Sequence, residues 1–121
     1  MPGKINNLTE DEQNKLLENK FGVTSIDFEE EVQHFCPLGE QIGITKYKVE
    51  VMPGKYLAEL IQLHWNIQHM MGKTFTLESG ADMVLQIVEQ AYIDASYISV
   101  EASCGKNRHM PVKVKVEYNG K

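Results

Sequence analysis

The stretch "ITKYKVEVMPG", residues 44–54, contains the clearest strand signal in the chain. Apolar and charged side chains alternate along it, with Tyr47, Val49 and Val51 in one phase and Lys46, Lys48 and Glu50 in the other. A period of two is typical of a strand with one buried and one solvated face. Because proline and glycine interrupt strands, Pro53-Gly54 should end this one. The pattern therefore predicts a strand over residues 44–52, in a sheet that is covered on one face only.

The sequence on either side of this stretch predicts three further strands, over residues 25–35, 97–104 and 112–118. The side chains expected on their buried faces are Val32, His34 and Cys36 in the first, Ile98, Val100, Ala102 and Cys104 in the second, and Val112, Val114, Val116 and Tyr118 in the third. The acidic run at residues 29–31 is expected to be exposed. Gly39, Gly43 and the segment Gly105-Lys106-Asn107 are typical of the turns between strands.

Helical periodicity predicts two helices between the second and third strands, over residues 56–71 and 79–92. The buried stripe expected in the first helix is Leu57, Leu60, Ile61, His64 and Ile67 or Gln68, and it is widened by Leu63, Trp65, Met70 and Met71. The stripe expected in the second helix is Met83, Val84, Ile87, Val88 and Ala91. His64 is therefore expected to be packed in the core, and Ser79 should cap the second helix. A short N-terminal helix is predicted from Thr9 to about Lys20, because Thr9 and Glu12 have the spacing of a capping box.

The predicted element order is β-β-α-α-β-β behind the short N-terminal helix. Two hairpins that flank a helix pair favour an α+β design, in which a four-stranded antiparallel sheet carries both helices on one face. We expect one domain over residues 1–121, with an N-terminal helical extension (1–24) and a core (25–118). Two unpaired sheet edges favour strand pairing between copies, so we expect a homo-oligomer.

The composition limits the classes of partner. The chain has 121 residues, is 42% hydrophobic and has a net charge of −5. The negative charge argues against a nucleic-acid partner, which needs a basic surface. No apolar run is long enough to cross a membrane, and the first residues lack the apolar stretch of a signal peptide. With only two cysteines a disulfide framework is not expected, and the sequence favours a cytoplasmic protein that binds a small molecule.

The stretch "CPLGEQIG", residues 36–43, resembles the nucleophile motif Cys-Pro-Val-Thr-Gly-Gln-Pro-Asp of the nitrile reductases that convert 7-cyano-7-deazaguanine to its aminomethyl form. Cys36, Pro37 and Gln41 match the motif, whereas Gly39 and Gly43 stand where that family has Thr and Asp. Nitrile reductases have the tunnelling fold, as do GTP cyclohydrolase I and 6-pyruvoyltetrahydropterin synthase. The order of elements also resembles this fold, over residues 28–118.

Two glutamates agree with the nitrile reductases in their distance from the cysteine. Glu59 lies 23 residues after Cys36, like the Glu of the family's Val-Glu-Ser-Lys-Ser segment. Glu78 lies 42 residues after it, like the Glu of the family's Phe-His-Glu segment and the ring-anchoring Glu of GTP cyclohydrolase I. The resemblance implies that Glu78 anchors a deazaguanine or pterin-like ring and that Glu59 helps to fix or close the pocket.

The resemblance also implies an enzyme of queuosine-type 7-deazaguanine metabolism, with sites between subunits. In it, Cys36 would attack the nitrile carbon and form a thioimide. A thiol needs a neighbour that takes its proton, which is the role of the family Asp that Gly43 replaces. Glu40 is the residue expected to substitute for that acid, and His34 and His109 are further candidates.

Other functions stay open on the sequence alone. NADPH would be the family's reductant, but the Ser-Lys-Ser and Arg-Gly-Gly segments linked with its use are absent, which argues against hydride transfer from NADPH. A catalytically degenerate binding protein would keep the fold with Cys36 buried. A zinc-dependent enzyme like GTP cyclohydrolase I would use Cys36 and Cys104, with His109 or His34 as a third ligand. The missing Cys-Glu-His-His histidines argue against zinc, since such a site needs three or four ligands.

Overall fold

The computed structural model describes residues 17–35, 37, 42–104 and 112–120. Its elements are β1 (Ile26–Phe35), β2 (Ile42–Met52), α1 (Leu60–Gln68), α2 (Leu77–Ala91), β3 (Tyr97–Cys104) and β4 (Val112–Asn119). All four predicted strands and both predicted core helices are therefore present, in the predicted order. Within the described ranges, no helix is long and apolar enough to cross a membrane.

The four strands form one antiparallel sheet in the order β1-β2-β3-β4. Its polar face carries cross-strand rows of charge, of which the longest runs Glu29, Lys48, Glu101, Lys115 with alternating sign. Opposite charges that face each other across strands stabilise a sheet. The prediction from the alternation in β2 is therefore confirmed, because one face of the sheet is charged and the other is covered.

The core lies between the other face of the sheet and the two helices. Its fully buried side chains include Val32, Tyr47, Val51, Ile67, Val84, Val88, Tyr92, Ile98 and Val100. Most were predicted from the two periodicities, because a strand buries alternate residues and a helix buries every third or fourth. These observations confirm the α+β class and the ββααββ order.

The first helix is shorter than predicted and buries only part of the predicted face. It begins at Leu60 rather than at residue 56, because Glu59 caps it while Tyr56 pairs with Glu18 as an isolated bridge. Its buried residues are Leu63 and Ile67, whereas Leu60 and Ile61 are 56% and 58% exposed. The predicted burial of Leu63 and Ile67 is confirmed, whereas that of Leu60, Ile61 and His64 was wrong. Apolar residues surround the helix, so periodicity alone does not select one face.

The end of the predicted N-terminal helix is also wrong. Residues 17–20 form a turn and a bridge, not a helix, and the remainder of the predicted helix lies outside the described residues. The Leu17 carbonyl accepts a hydrogen bond from the Leu57 N–H (2.6 Å), and the Asn19 N–H donates one to the Lys55 carbonyl (2.7 Å). The segment is thereby attached antiparallel to the chain just before α1.

Helix α2 begins two residues earlier than predicted. Its cap is Thr76, whose hydroxyl accepts from the Ser79 N–H (3.1 Å), so that Ser79 is not the capping residue. Glu78 consequently lies in the first turn of the helix rather than just before it. The first turn passes very close to the sheet at Gly80, where a Cβ would overlap the Tyr47 hydroxyl and would lie 2.8 Å from the Phe75 ring.

Candidate functional site

The end of β1 is joined by backbone hydrogen bonds to the segment that precedes α2. The Phe35 N–H donates to the Lys73 carbonyl (2.9 Å), and the Phe35 carbonyl accepts from the Phe75 N–H (3.2 Å). The Gly72 N–H donates to the Gln33 carbonyl (2.8 Å), so residues 72–75 run along the outer edge of the strand. The edge of the sheet is covered at this point by a parallel segment.

This junction brings two of the predicted site regions to the same end of the molecule. Cys36 directly follows Phe35 in the chain, and Glu78 follows Phe75 by three residues. Glu78 is exposed in the first turn of α2, where the positive end of the helix dipole favours a negative charge. Cys36 itself lies outside the described residues, as do the predicted Glu40 and His109.

A buried histidine lies at the centre of the junction. His34 is only 6% exposed, and its ring stacks on Phe75 with centroids 4.2 Å apart and planes 14° from parallel. Nε2 is 2.6 Å from the Thr45 hydroxyl, and Nδ1 is 3.4 Å from the Phe35 carbonyl. Burial lowers the pKa of His34, an effect that the contact with the Phe35 carbonyl partly opposes. The imidazole is therefore held neutral near pH 7, beside a small cavity of about 240 Å³.

Tyr47 continues this polar row on β2, two residues after Thr45. Its side chain is fully buried, and its hydroxyl has no hydrogen-bond partner of acceptable geometry among the described residues. Burial raises the pKa of Tyr47 well above its usual value, which the nearby Thr45 hydroxyl offsets only in part. A buried donor without a partner is costly, so the Tyr47 hydroxyl is a polar group whose hydrogen-bonding capacity the described residues do not satisfy.

Glu59 lies at the opposite end of the helical pair. Its carboxylate accepts from the N–H groups of Ile61 (3.0 Å) and Gln62 (2.7 Å) and so caps α1. It borders a groove of about 500 Å³, together with Ala91 and Ile93 at the far end of α2. Since Glu78 and Ala91 are 13 residues apart on one helix, the two glutamates are separated by about 20 Å along it. One copy of the chain does not bring Glu59 and Glu78 to a common ligand.

Solved structures share this architecture. The crystal structure of the archaeosine synthase QueF-Like in the apo form matches with a TM-score of 0.74 and 17% identity, over 82% of this chain and 97% of that one. A protein assigned as dihydroneopterin aldolase (FolB), from Vibrio cholerae O1 biovar El Tor str. N16961, matches with a TM-score of 0.60 and 12% identity, over 78% and 94% of the two chains. The chain has the tunnelling fold. In sequence, no family model matches it, and no curated protein does.

Within this tunnelling fold, the described residues form no metal centre. No cluster of three or more His, Cys, Asp or Glu side chains that could hold a metal is found among residues 17–35, 37, 42–104 and 112–120. Cys104 is half-buried at the end of β3, paired across the sheet with Val112. Two other residues of the zinc alternative, Cys36 and His109, lie outside these ranges.

Sequence reasoning missed a polar cluster on the helix-facing side of this tunnelling-fold sheet. Glu30 was expected to be exposed, but its side chain is 13% exposed beneath α1. It accepts from His64 Nδ1 (2.8 Å) and Gln68 Nε2 (2.9 Å). His64 is consequently a half-exposed partner of a carboxylate, not a core residue. The available signal was the phase of β1, because Glu30 alternates in step with Val32 and His34.

Proposed function

We propose that this chain binds a planar ring of the 7-deazaguanine or pterin class and that Cys36 adds covalently to a nitrile carbon on that ring. The observation that carries the proposal is the backbone junction between Phe35 and residues 73–75. It links the strand that leads to Cys36 with the helix turn that carries Glu78. In support, an archaeosine synthase and a protein assigned as a dihydroneopterin aldolase share the fold.

Glu78 is the proposed ring anchor. A guanine-like or pterin-like ring offers a ring N–H and an exocyclic NH₂ as two parallel donors, and a carboxylate accepts both at once. The carboxylate is exposed to solvent and therefore available to a ligand. It lies in the first turn of α2, where the backbone N–H groups and the helix dipole favour a negative charge.

Cys36 is the proposed nucleophile. When a thiol adds to a nitrile, the bond between Sγ and the nitrile carbon forms and the thiol proton ends on the nitrile nitrogen. The product is a neutral thioimide, and no reductant is consumed. Reduction of the thioimide to an amine would require a hydride donor such as NADPH, and the sequence lacks the family segments for that donor. The proposed activity therefore ends at the covalent adduct.

A second copy of the chain completes the proposed site. Glu59 lies beside the end of α2 and Glu78 at its start, about 20 Å away along the helix. Glu59 could therefore reach the same ring only from a neighbouring copy. The exposed edge of β4 and the uncovered part of β1 offer strands for such pairing. We therefore propose a homo-oligomer in which Cys36 and Glu78 come from one copy and Glu59 from the next.

The test is incubation with 7-cyano-7-deazaguanine, followed by intact mass measurement. We expect a mass increase equal to that of the whole ring compound, lost in Cys36→Ala and retained in Cys104→Ala, the matched control at the other cysteine. A rise in Tm with the ring compound but no adduct would indicate a binding protein without covalent chemistry. If neither an adduct nor a change in Tm is found with guanine, deazaguanine or pterin compounds, the proposal is wrong.

A further inference from the structure

The charged face of the sheet, opposite the helices, contains one cross-strand row whose charges do not balance. The register aligns Asp27 on β1, Glu50 on β2, Ser99 on β3 and Glu117 on β4. This acidic row has three carboxylates and no basic side chain. Asp27 directly faces Glu50 across the ladder, and like charges in that arrangement destabilise a sheet. The fold therefore keeps a negative row that its own strand pairing does not neutralise.

The two carboxylates at the β1 end of the acidic row have no partner in the part of the chain that the structure describes. There, Asp27 and Glu50 take part in no ion pair and in no side-chain hydrogen bond. Glu117, at the other end of the row, accepts from the Tyr97 hydroxyl and lies 3.8 Å from Lys115 Nζ. The unbalanced charge is therefore concentrated at Asp27 and Glu50.

Ser99 provides a second observation that points to a ligand. It is only 7% exposed, although it lies on the charged face of the sheet. Its hydroxyl makes no hydrogen bond to a described residue, and Ser99 lines a concavity of about 460 Å³ together with Asp27 and Glu50. A hydroxyl that is largely removed from water and has no protein partner is costly. The hydroxyl is therefore placed to bind a group that enters the concavity.

The lysines that border the concavity belong to the neighbouring row. Lys48 lies between Glu29 and Glu101 in the register, and Lys115 lies on the other side of Glu101. That row has equal numbers of acidic and basic side chains, which alternate in sign and stabilise one another. The excess negative charge thus lies on the acidic row alone, and the concavity is suited to a cation.

We propose that this concavity binds a linear aliphatic polyamine, whose ammonium groups lie along the acidic row. Neighbouring strands are about 4.8 Å apart, so the row is about 14 Å long from β1 to β4. Ammonium groups separated by three or four methylene groups have a similar spacing. One ammonium group pairs with Asp27 and Glu50, and the next donates to the Ser99 hydroxyl on the side of Glu117.

A polyamine fits this row better than a single metal ion does. The three carboxylates are spread along a line, so one ion cannot contact all of them. The described residues also contain no cluster of three or more His, Cys, Asp or Glu side chains that could hold a metal. The volume of the concavity lies within the range of sites for small organic molecules, about 300–1,000 Å³.

The test is calorimetric titration of the chain with spermidine, a linear triamine, at constant ionic strength. We expect saturable binding with one spermidine per chain, tighter than the binding of putrescine, a diamine, and of Mg²⁺. Asp27→Asn and Glu50→Gln should each raise the Kd for spermidine about two- to fivefold, as expected for exposed ion pairs. Glu89→Gln on α2 is the matched control, because it removes the same charge on the helix-covered side of the sheet and should leave the Kd unchanged.

Ser99→Ala distinguishes a built site from a general attraction of cations to a negative chain. It leaves the charge unchanged, so a higher Kd in this variant supports a direct contact in the concavity. Asp27→Asn removes one of two opposed charges and should not lower the Tm of the free chain, so its Kd can be measured on folded protein.

Three results would overturn the proposal: no saturable binding of spermidine, equal Kd values in the parent, Ser99→Ala and Glu50→Gln, or equal affinities for spermidine and Mg²⁺. The proposed ring site is tested separately, because Glu78 belongs to a helix on the opposite face of the sheet and its assay measures a covalent adduct.

Discussion

The two ends of the helical pair use their polar side chains in opposite ways. At the end where α1 begins, Glu59 caps the helix and Asp94 accepts from the Lys55 N–H (2.7 Å), so these carboxylates are occupied by the backbone. At the end where α2 begins, Glu78 is exposed and Tyr47 is buried without a described partner. Polar groups consumed by the fold are poor candidates for chemistry, so the comparison favours the α2 end as the reactive one.

The largest expected effect is that of Glu78→Gln on the rate of adduct formation. Glu78→Gln keeps the shape of the side chain but removes the charge and one of the two acceptors, so adduct formation with 7-cyano-7-deazaguanine should slow roughly 10- to 100-fold. The free energy of unfolding should change little, because the side chain is exposed. Rates from intact mass and Tm from thermal melting check both parts. An unchanged rate would contradict the role of the α2 end.

The next effect concerns packing at the same end. In Gly80→Ala the new methyl group would overlap the Tyr47 hydroxyl and approach the Phe75 ring, which should destabilise the fold by about 1–3 kcal/mol. Tyr47→Phe removes the overlapping oxygen and a buried donor that has no described partner, so the double variant should recover part of the loss. Urea denaturation measures both. Equal losses in the single and double variants would mean that Tyr47 is not the obstacle.

Glu59→Ala should have a smaller effect than Glu78→Gln, and it should lower stability rather than slow adduct formation directly. Loss of the cap leaves the N–H groups of Ile61 and Gln62 without their acceptor, at a cost of about 1 kcal/mol. Glu59→Asp, which retains a capping carboxylate, is the control. If Glu59→Ala leaves the free energy of unfolding unchanged, the capping role is wrong. A loss of ring binding in the folded variant would support the proposed contact between Glu59 and the ring of a neighbouring copy.

The smallest effect is a pH dependence of stability. Burial lowers the pKa of His34 in the folded chain below its unfolded value, so the unfolded state binds the proton more readily. Stability should therefore be fully present above pH 6.5 and should fall as the pH drops below it, by at most about 1.4 kcal/mol per unit for one proton. Denaturation curves between pH 5 and pH 8 should show this slope in the parent and less of it in His34→Gln. If the parent and His34→Gln show slopes of the same size, the pH dependence comes from groups other than His34.

Some parts of the structure could be predicted from the sequence and others could not, and the difference lies in the kind of contact that forms each part. The sheet was predicted because alternation in residues such as Tyr47 and Val49 reports burial directly. The start of α1 was not, because it depends on pairing between Glu18 and Tyr56, which are far apart in the chain. The junction at Phe35 consists of backbone hydrogen bonds, which most side chains permit, so the residue pattern gives little sign of it apart from Gly72, whose φ is positive. The phase of β1 predicted that His34 is buried, but not that Thr45 would hold its ring.

The segment that runs along the end of β1 also limits how another chain can add to this edge. Gly72 and Lys73 occupy the outward-facing backbone groups of Gln33 and Phe35. An incoming strand therefore finds free donors and acceptors only on the part of β1 before Gln33. The segment therefore sets an upper limit on the length of any strand that adds to this edge, and that limit comes from a few residues that lie outside the four strands and both helices.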